Sequence, residues 1–421
     1  LPKKKVEKPQ REFTKRQLSR WQKQKRRQRI IFVTGISIIV AVLVTVGVGW
    51  YIKEYQPLNQ TVIKVNDTEF DMNYYVKMLR LYGKGQTINF MYAVADQMVT
   101  TIERNEIVRQ GAMKLGISVS NDAVDDELKN RDPPLTKDYR DLVRAEMLIN
   151  QLRDEYFDQK VPVFAEQRHI MAMFLESESQ AGEVRARLEN GEDFAELAGE
   201  LSLESLSKSD GGDFGWKPKG ILATLVGTSV LDEYAFSSEM GVLSPPVYDE
   251  TKIKILGYWL IKVSEQKENS DEAHVQAILL GSAQEAQMVK DKLDAGEDFA
   301  ILASELSQHG SKENGGDLGW LAPGMMPPAF DEFAFDSEVE IEKLSEPIRD
   351  EAVATEGGYW LVRVLDVDDY RKIEDEDRNL MKAEALNEWV SSLWDDPENE
   401  IDDSYLTPEK KAWAVQRVTG G

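Results

Sequence analysis

The chain has 421 residues, no cysteine, three histidines and a formal net charge of -24. That length accommodates two to four domains, and the missing thiol excludes disulfides, thiolate metal sites and a cysteine nucleophile. Residues 1–29 hold 13 Lys and Arg against two acids, a local +11 that leaves -35 for residues 30–421. So acidic a body argues against nucleic-acid binding, because phosphate recognition needs a basic face.

In chain order, residues 1–29 read as a basic cytoplasmic tail. Ile30 to Ile52 (IIFVTGISIIVAVLVTVGVGWYI) carries no charge, long enough to cross a ~30 Å hydrocarbon core as a helix. Arg26, Arg27 and Arg29 flank its near end, while Trp50 and Tyr51 suit the far interface. The positive-inside rule therefore predicts a single-pass cell-membrane protein with its C-terminal bulk extracytoplasmic. A removed signal peptide and a buried core helix are the alternatives to this anchor.

From residue 165 onward the sequence repeats itself. LENGEDFAELAGELS around Gly191 returns as LDAGEDFAILASELS around Gly296, and His169 returns as His274. GGDFGW (Gly211 to Trp216) matches GGDLGW (Gly315 to Trp320), and LDEYAF (Leu231 to Phe236) matches FDEFAF (Phe330 to Phe335). GYWLIKV (Gly257 to Val263) matches GYWLVRV (Gly358 to Val364). Each copy reads as a strand, two helices broken at Asn190-Gly191 or Ala295-Gly296, a GGD turn, a third helix and a closing strand. In the second copy Ala286, Val289, Leu293, Phe299 and Leu302 keep helical spacing. Strands separated by helices in about 100 residues fit a compact α+β domain.

These blocks resemble the PpiC-type rotamase, or parvulin, domain, over residues 165–265 and again over 272–367. Residues 60–160, opening TVIKVNDTEFDMNYYVKML, resemble the helical N-terminal module of SurA- and PrsA-like foldases. The resemblance implies a C-terminal helix that packs back on this module. Ile373, Leu380, Leu386, Trp389 and Leu393 give residues 371–396 one apolar face suited to that. The expected architecture is therefore α+β: a transmembrane helix, a helical chaperone-like module, two tandem domains with small antiparallel sheets and surrounding helices, and a C-terminal helix. Residues 397–421 read as a loose tail.

The resemblance implies peptidyl-prolyl isomerase activity, which needs no cofactor and no metal. It places the proline pocket on a Met and a Phe spaced M-x-x-x-F, and the polar floor on two histidines with a Cys or Asp. In the second copy these become Met326 and Phe330, with His274 as the first histidine and His309 at the Cys/Asp position. Trp360 stands where the second histidine should be, and an indole only donates a hydrogen bond. The first copy departs further: His169 is kept, Trp259 replaces the second histidine, and Leu231 replaces the pocket Phe. No Met precedes Leu231, and Glu204 or Ser205 falls near the Cys/Asp position.

The expected function is a membrane-anchored extracytoplasmic foldase that chaperones exported polypeptides and isomerises X-Pro bonds on the second copy. Its partners would be unfolded clients, the bilayer through residues 30–52 and the translocation machinery, with no nucleic acid. A non-catalytic peptide-binding chaperone or docking scaffold is the second reading, and a self-assembling envelope protein the third.

Overall fold

The computed structural model describes residues 15–83, 86–267 and 271–419; the start of the basic tail, residues 1–14, lies outside the described residues. The chain forms two compact units, Leu1–Leu152 with Asn387–Gly421, and Arg153–Leu386.

The first unit opens with α1 (Lys15–Trp50). From Ile30 on its apolar side chains are exposed all round, as at Ile31 (70%) and Phe32 (74%). Lys25–Asn59 is long and apolar enough to cross a membrane. Then follow β1 (Thr61–Val65), β2 (Thr68–Asp71), α2 (Met72–Gly83), α3 (Ile88–Lys114), α4 (Asn121–Asn130) and α5 (Arg140–Gln151). Ser120 caps α4 by accepting from Ala123 N at 3.2 Å. Val62, Ile63, Tyr75, Leu79, Met91, Ala95 and Ile102 bury completely or nearly so and form the core.

The second unit holds both repeats. Copy one supplies β3 (Phe164–Leu175), α6 (Glu178–Glu189), α7 (Phe194–Leu201), α8 (Ser205–Ser209), β4 (Asp213–Pro218), α9 (Ile221–Val226), α10 (Val230–Ser237) and β5 (Val247–Gln266). Copy two supplies β6 (Ala273–Leu280), α11 (Ala283–Asp294), α12 (Phe299–Leu306), β7 (Asp317–Leu321), α13 (Pro328–Ala334) and β8 (Ile348–Lys372). Ser177 and Ser282 cap α6 and α11 in the same way, each accepting from a backbone N–H three residues on at 3.2 Å.

The two copies do not close on themselves. One antiparallel sheet runs in the order β4-β3-β8-β5-β6-β7. β3 of copy one pairs with β8 of copy two, Met173 opposite Leu361. β6 of copy two pairs with β5 of copy one, Leu260 opposite Ile278. At the centre β5 and β8 cross antiparallel, with Val247 opposite Trp360 at one end and Trp259 opposite Ile348 at the other. The closing strands have thus changed places.

The segments between the lobes are extended. Thr251, Ile253 and Ile255 in β5, and Val353 and Thr355 in β8, are β-branched and favour extended backbone. Each strand runs on into the neighbouring lobe. Gly257 and Gly358 mark the arrival points: a Cβ on Gly257 would lie 2.7 Å from Leu279, and one on Gly358 2.6 Å from the Leu175 carbonyl. The result is a first lobe built from residues 164–250 and 358–372, and a second, contiguous lobe of residues 256–351 lying between them in sequence. The α+β class and the antiparallel pairing stand, but the two copies share one six-stranded sheet, and each lobe's part of it draws strands from both copies.

α14 (Asp375–Trp394) leaves the second unit and ends in the first. Within the first unit, Trp389 and Leu393 come so close to α3 that a Cβ on Gly111 would lie 2.9 Å and 2.6 Å from them. β9 (Ile401–Asp402) pairs with β1, giving the order β2-β1-β9, and α15 (Pro408–Thr419) follows. Residues 397–419 are therefore not a loose tail. Ala414 and Val415 are fully buried, and Lys411 pairs with Asp96 and Arg417 with Glu54.

Candidate functional site

Strand alternation decides which side chains meet in the second lobe. Ala273, Val275, Ala277 and Leu279 of β6 face a cluster with Trp259, Ile261, Val263, Phe330 and Ala334. Ile278 and Leu280 face the other side, against Ala286 and Val289 of α11 and Leu302 and Ala303 of α12. His274 has the parity of the second set. It lies across the sheet from Phe330, with Nδ1 2.9 Å from Ser264 Oγ, Nε2 3.5 Å from Asp317 Oδ1, and its ring edge-on to Trp320 at 5.5 Å.

The cluster itself is composite. Trp259, from copy one, meets Phe330 edge to face at 5.0 Å and 82°, and His309 at 5.4 Å. Met326 packs half-buried against the same cluster, while Met325 beside it is exposed. The grouping expected from sequence is corrected here: Trp360 is not beside His309, Met326 and Phe330, because β8 carries it into the first lobe. The Trp259 indole donates to Asp350 Oδ2 at 3.0 Å, and Asp350 Oδ1 accepts from Ala352 N at 2.8 Å. Asp350 is buried and satisfied on both oxygens.

His309 stands at the rim of this cluster. Its Nδ1 accepts from the Ser311 backbone N–H at 3.1 Å, with Ser311 Oγ at 2.9 Å. A ring nitrogen that accepts an amide proton is unprotonated, so the neutral ring carries its hydrogen on Nε2. Burial lowers its pKa, which keeps it neutral. Nε2–H has no hydrogen-bond partner among the described residues, and is available to a ligand carbonyl or amide nitrogen.

The first lobe repeats the frame and blocks it. Trp360 packs on Phe174 at 4.8 Å and donates to Asp249 Oδ2 at 2.9 Å. Leu231 sits where Phe330 stands in the other lobe, and α9 fills the remaining space with Leu222 and Val226. Glu204, near the place of His309, is engaged by Lys252 and caps α8 at Leu206 N, 3.2 Å. His169, on the opposite face like His274, contacts Asp213 Oδ1 at 2.8 Å and stacks on Trp216. Trp259, grouped by sequence with His169 and Leu231, belongs to the other lobe. The Asp–Trp pairs were the residues missed. Their signal is an Asp-Glu dipeptide placed equally before GYW in both copies, at Asp249 and Asp350.

Two regions, residues 169–265 and 258–368, match the PPIC-type PPIase domain. The shared residues 258–265 are the half of β5 that pairs with β6. The chain is 24% identical over 358 residues to the chaperone SurA of Methylobacillus flagellatus, covering 80% of this chain and 76% of that one. It is 36% identical over 138 residues to the foldase protein PrsA of Geobacillus kaustophilus, covering 31% of this chain and 47% of PrsA. The crystal structure of the peptidylprolyl isomerase PrsA from Bacillus anthracis aligns over 77% of this chain and 96% of its own, with 13% identity and a TM-score of 0.31.

Proposed function

We propose that this chain, whose repeats are PPIC-type peptidyl-prolyl isomerase domains and which is homologous to the SurA and PrsA chaperone-foldases, is a membrane-anchored extracytoplasmic foldase that isomerises X-Pro bonds on its second lobe. The barrier to be lowered, ~18–20 kcal/mol, is the loss of C–N resonance when the amide twists. A catalyst must seat the proline ring in an apolar wall, exclude water and stabilise the twisted amide. Met326, Phe330 and Trp259 supply the wall. His309 Nε2–H supplies a neutral donor, and a twisted amide nitrogen, freed from resonance, accepts such a bond. The free Nε2–H beside the Met326–Phe330 wall is the observation that carries this reading. The first lobe, filled by α9, acts as a spacer or a binding surface.

The anchor rests on α1, whose apolar side chains from Ile30 to Trp50 are left uncovered among the described residues, and on the charge reversal across it. Clients would be exported polypeptides, delivered on the side of the membrane that holds residues 60–419. A specific observation favours the second reading, a holding chaperone without catalysis: Phe330 and Trp259 are both exposed to 1% or less. Proline entry then requires the Met325–Met326 segment to move aside.

One experiment separates the two. The full chain in detergent micelles is added to an Ala-Pro peptide, and cis/trans exchange is followed by NMR. Acceleration that disappears in Phe330→Ala supports isomerisation. Exchange at the uncatalysed rate with the unaltered chain removes it and leaves the holding role.

A further inference from the structure

A single spanning helix leaves the body of a protein free to turn about it. The contacts around the end of α1 restrict that freedom in the first unit. Trp50 and Tyr51 close the apolar run and are exposed, as interfacial aromatics are. Lys53 and Glu54 are the first charges after it, and Glu54 stands one helical turn, ~5 Å, beyond Tyr51. A ~40–45 Å bilayer with a ~30 Å core leaves a headgroup layer of ~5–8 Å on each face. Glu54 falls within that layer.

Arg417, near the end of α15, pairs with Glu54 and brings α15 to the same level. α15 runs antiparallel along α3: Lys411 pairs with Asp96, and Val418 packs where α2 ends and α3 begins. A Cβ on Gly83 would lie 2.6 Å from Val418 Cγ1 and 2.9 Å from Met91 Cε, so the three helices meet closely there. The α2–α3 corner thus lies beside the point where the chain leaves the apolar run. The other end of α3 is tied to the far turn of the β1–β2 hairpin. There Gln110 Nε2 donates to the Val65 carbonyl at 3.3 Å, and Glu106 accepts from Thr68 Oγ1 at 2.7 Å.

At the corner, Ile88 and Phe90 are 46% and 47% exposed. They occupy the first turn of α3, on either flank of a buried stripe made by Met91, Val94, Ala95 and Met98. Helical Cα–Cβ bonds tilt toward the N-terminus, so these side chains project past the start of the helix. A first turn that faces water is commonly acidic. This one holds no acid, in a chain with 75 of them.

We propose that the α2–α3 corner rests in the headgroup layer of the membrane that α1 crosses, with Ile88 and Phe90 inserted to the acyl boundary. The contact rests on the reading of α1 as a membrane span, and adds a second attachment to it. Two attachments fix the rotation of the first unit. They hold Met113, ~35 Å along α3 from Phe90, away from the lipid. The partner is the bilayer because the span keeps it permanently within reach of the corner, through Glu54 and Arg417.

The chain has no native cysteine, so variants of the full chain can carry a nitrobenzoxadiazole dye at one introduced cysteine. Ile88→Cys, Phe90→Cys, Met113→Cys and Val40→Cys are labelled and reconstituted in phosphatidylcholine vesicles. Lipids with a nitroxide near the headgroup or deep in the acyl chain then read the depth of each dye. The dyes of Ile88→Cys and Phe90→Cys are quenched about twofold or more by the shallow nitroxide, as a group ~5–10 Å into the interface should be. The dye of Met113→Cys is unquenched and emits further to the red, and that of Val40→Cys is quenched by the deep nitroxide. A dye on Asn89→Cys is quenched by the shallow nitroxide and loses this when Ile88→Ser and Phe90→Ser are added. If Ile88→Cys and Phe90→Cys behave as Met113→Cys while Val40→Cys is quenched, the corner contact is overturned and the anchor stands. An unquenched Val40→Cys overturns the anchor and the contact with it.

Discussion

The indole N–H of Trp259 donates to the carboxylate of Asp350, and the two residues belong to different repeats of the sequence. Trp360 and Asp249 make the reciprocal bond in the other lobe. Each lobe is thus held by one tryptophan and one aspartate that the chain must bring together across the exchange. A buried carboxylate left without its indole would cost about 1–3 kcal/mol.

The exchange is directly testable because the chain has no native cysteine. Met171 faces Arg363 across β3 and β8. The pair Met171→Cys/Arg363→Cys should form an intramolecular disulfide on mild oxidation, read by non-reducing gel and peptide mass mapping. The control pair Met171→Cys/Lys262→Cys would cross-link instead if each copy closed on its own strand. That result would refute the exchanged topology.

The two histidines of the second lobe should part company. His274→Ala, on the far face of the sheet, is expected to leave prolyl exchange within about twofold of the unaltered chain. His309→Ala should lower kcat/KM by roughly tenfold or more, the usual range for one general acid–base or donor group. Because burial holds the His309 pKa below its ordinary value, the ring stays neutral above that value and the rate should be flat from pH 7 to 9. A rate that falls across that range would contradict a neutral donor.

Leu222 and Phe330 are both buried core positions, yet only one borders the proposed site. Leu222→Ala should cost about 2–5 kcal/mol of stability and Phe330→Ala about 3–5 kcal/mol. Urea unfolding of the full chain in micelles measures both. Only Phe330→Ala should abolish isomerisation. Equal loss of activity in the two variants would tie the effect to stability alone.

Glu103 provides a pH signature in the first unit. It is buried, and burial, reinforced by the charge of Asp403, raises its pKa to about 7. In the unfolded chain the same carboxyl titrates near its ordinary value of 4.5. Between these values the folded state holds a proton that the unfolded state has lost, so stability falls as pH rises through that window. Glu103→Gln should raise Tm at pH 8 and leave it unchanged at pH 4. An equal gain at both would place the effect elsewhere.

Much of this molecule is written in its residues. The blocks around Gly191 and Gly296 disclose the repeat, and Asn190-Gly191 and Ala295-Gly296 mark where its first two helices part. The 23 uncharged residues from Ile30 predict the exposed helix. The pairing of the closing strands is not legible, for a physical reason. GYWL is identical in both copies, so each strand offers the same indole, the same apolar face and the same backbone bonds to either partner. The faces taken by His169 and His274 follow from strand parity, since Ala277 and Leu279 point to Trp259 and His274 cannot. The order of residues 397–419 escaped because its apolar positions are few, and their burial depends on β1 and on helices hundreds of residues away.

The nesting of one lobe inside the other sets a schedule. A chain emerging from a ribosome or a translocation pore delivers β3 long before the strand that completes it, since the partner of Ile170 is Val364. The inner lobe, contiguous from residue 256 to 351, can close as soon as it is out. The outer lobe must wait with one edge of β3 unpaired and Phe174 uncovered. Maturation of this foldase is therefore ordered from the inside outward, and the lobe read as active is complete while its companion is still a half-built sheet.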